Sequence, residues 1–484
     1  MKLEVKPKTG ETLADQLFQA GVEFPCGGES ACGGCKIRVL SGDVPVTPMM
    51  RDALTPDEID AGWRLACCAE ATAPVTLEVE QWSLRILSDD AGVPIEPRDG
   101  LGVVIDLGTT TLVAQLVDLS SGEVLAVETA LNPQARFGAD VMTRIQHDLR
   151  QPGELKVVIR QALGAMIKRM AAGRELEEVL LAGNTAMHHL FCGLSVEPLS
   201  RVPFESPHLG SYLTTADELA WPCAVRGHVL FLPCLGGFVG SDLLTGIVAT
   251  GLDLQDQPHA LFDIGTNGEI VVGSRHRIQC ASTAAGPAFE GGRISCGMRA
   301  GHGAIDAVDH DLNVHVIGGG RGRGLCGSGL VDAVAAGRAR ELILPTGRIA
   351  DPSRRLPLAT DVMLTQADVR ELQLAKGAMA SGLRMLAPGG VSRLWLAGAF
   401  GNYIRLGSAR AIGLLPEDLI VESVGNAALR GARMLLLAPS QRQARLSRIC
   451  AMAEHVELAA DPQFQDIYAE SMALRPFSLR ADPR

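Results

Sequence analysis

One pattern occurs twice in this chain, in the same order. An apolar strand-like run, Leu101 to Leu107, carries Asp106 and is followed by Gly108, Thr109, Thr110 and Thr111. The device returns at Leu261 to Val272, with Asp263, Gly265, Thr266, Asn267, Gly268 and Glu269. A leucine-alanine-glycine element follows each copy: Val179 to Gly183, continuing into Asn184 and Thr185, and Leu394 to Gly398, continuing into Ala399, Phe400, Gly401 and Asn402. A repeat on this scale dictates two structurally similar halves, and the cleft between them is the natural ligand site. At 484 residues there is room for two to four domains.

The residue types at the two hairpin tips suit phosphate. Glycines let backbone N–H groups approach phosphate oxygens closely, and threonine hydroxyls add donors. Gly108, Thr109, Thr110, Gly183 and Asn184 from the first half, with Gly265, Thr266, Asn267, Gly398 and Gly401 from the second, are therefore the candidate nucleotide-binding residues. Asp106 and Asp263 repel phosphate, so their expected catalytic role is to hold Mg²⁺ through water or to orient an attacking water. The blander reading is that one of them only caps a turn. There is no Walker-type GxxxxGK[ST] sequence, which excludes a P-loop enzyme. Two further glycine-rich loops, Ala285 to Arg293 and Gly318 to Gly324, are less informative. The second leads through Cys326 into a helix start that either faces phosphate or is simply capped. The pair His188 and His189 reads as helix packing before it reads as a ligand set.

The N-terminal segment carries different chemistry. Cys26, Cys32 and Cys35 stand at C-x5-C-x2-C spacing among Gly27, Gly28, Gly33 and Gly34, and Cys67 and Cys68 follow a short apolar lead. Thiolates converging in a glycine-rich loop, with backbone N–H groups aimed at sulfur, are what a [2Fe–2S] cluster needs. The fourth ligand is Cys67 or Cys68, and Cys67 is preferred. A zinc knuckle fits less well, because zinc sites usually use two close cysteine pairs and only Cys32 and Cys35 form one. The other seven cysteines lie in separate segments and read as small buried residues. Around this loop, Lys2–Lys6, Lys36–Leu40 and Val75–Glu80 alternate like strands and Glu11–Ala20 like a helix, so a helix on a small mixed sheet is expected.

The expected division is 1–81 for a cluster domain, 82–100 for a linker, 101–256 for the first half of the core and 257–484 for the second. The net charge of −11 argues against nucleic acid as a partner. No apolar run of membrane-spanning length occurs and the chain opens without a signal-peptide core, so no membrane association is expected. Cysteines spread through a long chain of this kind suit a reducing compartment, and the cytoplasm is the default.

The duplicated hairpins resemble those of the actin-like ATPase superfamily of sugar kinases, Hsp70-type chaperones and actin. Taken with the cysteine loop, the stretches CGGESACGGCKIRV, RLAC, VIDLGTTT, LAGNTAMHH, FDIGTNGEI, CGSGLVDA and LAGAFGNYI are similar to those of the reductive activators of corrinoid proteins, over nearly the whole length. That resemblance implies a multidomain α+β and α/β fold: a β-grasp [2Fe–2S] ferredoxin, a short linker and a duplicated, ribonuclease H-like ATPase core. It implies an ATP-hydrolysing enzyme that passes one electron from the cluster to Co(II) of a corrinoid protein in a methyltransferase system, regenerating Co(I). It also implies an upstream electron donor and a homodimer through the actin-like part. A plant-type cluster sits near roughly −400 mV. The resemblance sets the resting cobalt couple lower, and one electron moved uphill by ~100 mV costs about 2.3 kcal/mol, which ATP can offset.

Three other readings compete. An activator of a radical dehydratase would share a [4Fe–4S] cluster between subunits and have no fused ferredoxin. A redox-gated ATPase would serve another low-potential acceptor, or would act as a binding module without turnover. A sugar kinase would need a sugar pocket, which no segment announces.

Overall fold

The structure, a computed structural model, describes residues 2–6, 13, 16–17, 35–79, 95–138, 140–265, 267–401 and 403–479. Cys26, Cys32, Thr266 and Asn402 lie outside the described residues, as does most of the expected helix at 11–20.

Four strands, β1 (Lys2–Val5), β2 (Lys36–Ser41), β3 (Trp63–Leu65) and β4 (Val75–Glu78), form the N-terminal sheet in the order β1-β4-β2-β3. The pattern allowed a mixed sheet; the three described pairings are all antiparallel. Two short helices, α1 (Pro48–Ala53) and α2 (Pro56–Asp60), are each started by a threonine cap and a proline in the first turn. Leu17, Ile37, Met50, Leu65 and Leu77 are fully buried and make the core of this unit.

The repeat becomes two six-stranded sheets. In the first lobe, β5 (Leu101–Leu107), β6 (Thr111–Asp118), β7 (Val124–Leu131), β8 (Glu178–Gly183), β9 (Tyr212–Thr214) and β10 (Val229–Phe231) stand in the order β7-β6-β5-β8-β10-β9. In the second, β11 (His259–Ile264), β12 (Gly268–Gly273) and β13 (Ile278–Thr283) come first. An insertion follows: a small sheet, β14 (Ala304–Val308), β15 (Val314–Val316) and β16 (Gly324–Leu325), then the hairpin β17 (Arg355–Ala359) and β18 (Val362–Thr365). The chain then returns as β19 (Arg393–Ala397), β20 (Ile420–Gly425) and β21 (Ala453–His455), giving the order β20-β19-β11-β12-β13-β21. The shared part is the same in both lobes. Three antiparallel strands are followed by two parallel ones, reached by helical crossovers. Central strands β5 and β8 are buried on both faces, which is why they read as continuous apolar runs.

Helices fill the layers. In the first lobe these are α3 (Val141–Arg150), α4 (Glu154–Ala171), α5 (Thr185–Cys192) and α6 (Ser241–Thr250); in the second, α7 (Gly327–Ala339), α8 (Gln366–Leu386), α9 (Gly398–Gly401), α10 (Leu406–Ala411), α11 (Ala427–Leu437), α12 (Pro439–Met452) and α13 (Phe464–Ser471). Helix α6 packs on α11, and their apolar faces share one core with residues from both sheets: Val104 and Leu180 on one side, Leu261 and Trp395 on the other. Charged ties reinforce this seam. Buried Asp253 accepts from Arg445 at 2.7 Å and Arg448 at 2.6 Å, and Glu178 is clasped by Arg442 at 2.6 Å and Arg98 at 3.1 Å. The end of the expected linker is therefore fastened down. Besides the Arg98 contact, Glu96 accepts from Ser440 Oγ at 2.6 Å and its N–H donates to Leu437 O at 2.8 Å.

The N-terminal unit touches both lobes. Leu131 and Ala135 of the first lobe pack against its core, and Arg323 of the second lies over the Trp63 ring, 5.0 Å from the centroid.

Candidate nucleotide and cluster sites

The two hairpins come together where the lobes meet: the Asp106 charge acts on Asp263, and Asn426 of the second lobe reaches Asp106 at 2.8 Å. At the first, β5 and β6 keep register through Asp106 opposite Val113, and the chain turns at Gly108, whose N–H donates to Thr111 O at 3.1 Å. A Cβ on Gly108 would stand 2.6 Å from that same oxygen, so only glycine closes this turn. At the second tip, Asp263 pairs with Glu269 across β11 and β12. Like charges directly opposite on a hairpin are destabilising, and they persist where a cation or catalysis needs them.

Four carboxylates gather here. Asp106 comes from β5, Asp263 from β11, Glu269 from β12 and Asp242 from the first turn of α6. Helix α6 is brought in by Ser241, whose Oγ accepts from Gly183 N and donates to Gly183 O, both at 3.1 Å. Each carboxyl residue is half-buried, and loss of water dominates its titration. Burial pushes Asp106 up to about 6, with the Asn426 hydrogen bond opposing. Burial and then the charge of Asp106 push Asp263 up to about 7. Burial, then Asp263 and Asp106, push Asp242 up to about 7. Glu269 lies well above the usual carboxylate range, through burial and then Asp242 and Asp263. Groups that raise one another in this way want positive charge between them.

Three asparagines hold the first hairpin. Asn132 starts the turn Pro133–Arg136, accepting from Gln134 N at 3.0 Å while its Nδ2 donates to Gly108 O at 2.9 Å. Asn184 caps α5, accepting from Met187 N at 2.9 Å while its Nδ2 donates to Thr109 Oγ1 at 2.9 Å. Asn426 caps α11, accepting from Leu429 N at 2.8 Å while its Nδ2 donates to Asp106 Oδ2 at 2.8 Å. In each case one amide ends a helical element with its oxygen and fixes a hairpin atom with its nitrogen.

In the second lobe, Gly398 follows β19 with φ +84°, and a Cβ there would lie 2.8 Å from Asp263 Oδ1. That position requires glycine, and it brings Gly398–Gly401 beside the second tip. Gly265 and Asn267 stand at the tip itself, with Gly265 N donating to Asn267 O at 3.1 Å.

Of the residues expected at the site, the structure places Asp106, Asp263 and the described glycines where the lobes meet, and beside them stand Asp242, Glu269, Asn132 and Asn426, which were not among those expected. Glu269 sat inside the repeated motif. Asp242 follows the glycine-rich run Gly236 to Gly240, and Asn426 precedes an apolar helix, which is a cap signal. Two other expectations resolve as packing. His188 and His189 are buried, His189 between Thr185 O at 2.8 Å and Ser206 Oγ at 2.7 Å, and His188 edge-on to Phe231. The start of α7 is spent on β14: Ser328 Oγ donates to Asp306 O at 2.8 Å, and Cys326 Sγ lies 3.5 Å from Ile305 O.

In the N-terminal unit, Cys35 Sγ and Cys67 Sγ stand 3.2 Å apart, and the Cys67 N–H points at Cys35 Sγ at 3.5 Å. Two thiols converging from the residue before β2 and from the 65–69 turn, one receiving a backbone N–H, suit a cluster that needs thiolates and sulfur-directed donors. Cys68 Sγ turns elsewhere, 3.6 Å from Thr47 Oγ1 and 3.8 Å from Leu65 O. Of the other described cysteines, Cys192, Cys234, Cys280 and Cys326 are buried. Among the described residues, no three His, Cys, Asp or Glu side chains converge into a ready-made cation site, and no helix is long and apolar enough to cross a membrane.

Three family models match the chain in succession. Residues 2–72 match the 2Fe-2S iron-sulfur cluster binding domain family, 101–255 the RACo middle region, and 257–482 the C-terminal domain of RACo, described as the ASKHA domain. The chain is 34% identical to the corrinoid activation enzyme RamQ of Eubacterium limosum, over 76% of this chain and 69% of that protein. It is 26% identical to the [Co(II) methylated amine-specific corrinoid protein] reductase of Methanosarcina barkeri, over 76% of each. A solved structure of a reductive activator for a corrinoid, iron-sulfur protein superposes with a TM-score of 0.70 at 26% identity, covering 99% of this chain and 98% of that one.

Proposed function

The chain belongs to the RACo family of corrinoid-protein activators, and from that premise we propose that it uses ATP to drive one electron onto the Co(II) of a partner corrinoid protein, returning it to Co(I). The observation that carries this reading is the joining, in one chain, of a converging thiol pair and a two-lobed cleft with four mutually repelling carboxylates.

Cys35 and Cys67, with Cys26 and Cys32, would hold the [2Fe–2S] cluster, which supplies a one-electron donor at low potential. Cys68 is engaged with Thr47 and Leu65 and stays outside the ligand set. Gly108, Thr109 and Thr110 with Gly265, Thr266 and Asn267 cradle the phosphates, Asn184 fixes Thr109, and Gly183, Gly398 and Gly401 let the nucleotide lie against backbone. Asp106 and Asp263, assisted by Asp242 and Glu269, would hold Mg²⁺. Hard oxygen donors too far apart to cage a cation alone suit an ion that keeps waters and binds through phosphate. The same carboxylates orient the water that attacks the terminal phosphate. Nucleotide binding favours one arrangement of the lobes and hydrolysis releases it, which is how ATP changes the complex with the partner. A low-potential donor suits a reducing compartment, and the cytoplasm is the place we propose for it. A separate upstream reductant that reloads the cluster, and a homodimer, complete the proposal as the sequence resemblance implies them.

The test is anaerobic. The dithionite-reduced protein is mixed with a Co(II) corrinoid protein, with and without Mg-ATP, and the visible spectrum is followed for Co(I). Co(I) should form only with ATP, and Asp106→Ala or Asp263→Ala should slow it at least about 100-fold. ATP-independent reduction, or full activity in both variants, would sink the site assignment. Failure with several corrinoid partners, despite a reducible cluster and bound ATP, would favour another low-potential acceptor.

A further inference from the structure

Asn426 stands 320 positions from Asp106 in sequence, on the opposite lobe, yet its amide meets that carboxylate at 2.8 Å. The orientation of the amide is not arbitrary. Leu429 N can only donate, so Asn426 Oδ1 must face it, and Nδ2 is thereby directed at Asp106 Oδ2. The amide plane is set by the start of α11, and α11 is seated against α6, β5 and β8 of the first lobe. Asp106 is thus held by a donor whose position depends on how the lobes meet.

We infer that Asn426 is a positioning residue for ATP hydrolysis: it selects the orientation of the Asp106 carboxylate and ties that orientation to the seat of α11 between the lobes. A carboxylate on a strand still has a free terminal torsion. Deep in the cleft, surrounded by three other acids, it would otherwise turn toward whichever neighbour is protonated. A fixed N–H donor removes that freedom before nucleotide arrives, which is worth most in a site that must align a water or a hydrated cation. Asn132 and Asn184 hold Gly108 and Thr109 from within the first lobe. Asn426 differs in crossing from the second lobe and in reaching the carboxylate itself. This inference rests on the reading of Asp106 as part of the ATP site.

Capping and positioning can be separated, because serine and aspartate cap a helix about as well as asparagine. Asn426→Ser keeps an acceptor for Leu429 N and loses the donor to Asp106. Asn426→Asp keeps the shape, loses the donor and adds a repelling charge. The full-length protein is assayed for Mg-ATP hydrolysis and for thermal unfolding. Asn426→Ser should unfold at the wild-type temperature and Asn426→Asp somewhat below it, through the added repulsion, while kcat falls about 10- to 100-fold in both, with KM within about twofold. Asn426→Asp should be the slower of the two. Asp106→Asn serves as the reference, and Asn426→Ser added to it should cause no further loss, since the two residues act as one unit. Wild-type kcat in Asn426→Ser, or losses that multiply in the double variant, would overturn the inference and leave Asn426 as a cap. Full hydrolysis in Asp106→Asn would instead overturn the reading of Asp106, a result the single Asn426 variants cannot mimic.

Discussion

Lys376 is 1% exposed on α8 and donates to two backbone carbonyls, Ala473 O at 2.7 Å and Gly413 O at 3.2 Å. It thereby pins the segment after α13 to the second lobe. Burial, and then the positive charges of Arg475 and Arg384, push its pKa down to about 7. In the unfolded chain the group titrates near 10.4. Between those values the unfolded chain carries the extra proton, so stability should rise as pH climbs from about 7 toward about 10. That gain is lost as pH falls back through 7. The slope from this group approaches about 1.4 kcal/mol per pH unit. Urea unfolding at pH 7.5 and 9 should show it in the wild type and a flatter dependence in Lys376→Met. Equal slopes would mean that the amine is charged in the fold. At this scale sequence was a partial guide. Asp106 and Asp263 were legible because each ends an apolar run beside a glycine turn, and Cys35 and Cys67 because few chemistries use such spacing. Lys376 and Asn426 were not, since their partners come from segments that only the finished fold brings near.

The elements that join the lobes are helices rather than hairpins. Helix α6 meets α11 so closely that a side chain at Gly431 would run into the Thr245 carbonyl, while on the other side Gly246 lets α6 lie against the Leu261 side chain of β11. Glycine inside a helix lowers its propensity by about 1 kcal/mol. Here it is retained because the backbones approach one another. Gly431→Ala should therefore destabilise by about 1–3 kcal/mol despite improving propensity. It should also weaken ATP binding, because the wedge displaces Asn426 and Asp242 at the two helix starts. Calorimetry for unfolding and titration for nucleotide check both halves; a more stable variant would show that the helices can part freely. That the two halves are alike was legible from the duplicated motifs, whereas the order and direction of their strands became visible only in the fold. The insertion from β14 to β18 was not, since nothing in its glycine-rich loops says which strand they return to.

At the scale of the whole molecule, the N-terminal domain is seated on both lobes at once. Leu131 and Ala135 pack against its core, and the strand end that carries Leu131 leads into Asn132, which holds Gly108 at the tip of the first hairpin. On the other lobe, Arg323 stacks on Trp63. Burial lowers the Arg323 pKa while Glu78 and Glu58 of the N-terminal domain oppose that shift, so the contact is electrostatic as well as apolar. A rigid body bridging two lobes fits one separation between them. Nucleotide that alters the separation must strain one contact, and by linkage the contact must then weaken nucleotide binding by the same factor. A cation–π contact of this exposure contributes about 0.5–1 kcal/mol. Arg323→Ala should accordingly tighten ATP binding about 2- to 5-fold, the factor that energy corresponds to. The emission of Trp63 should shift when Mg-ATP is added to the wild type, and Trp63→Phe should remove that component. In Arg323→Ala the emission should already be shifted before nucleotide is present. Unchanged affinity together with unchanged emission would mean that the domain rides on one lobe only, and that electron donor and ATP cleft are coupled solely through the corrinoid partner.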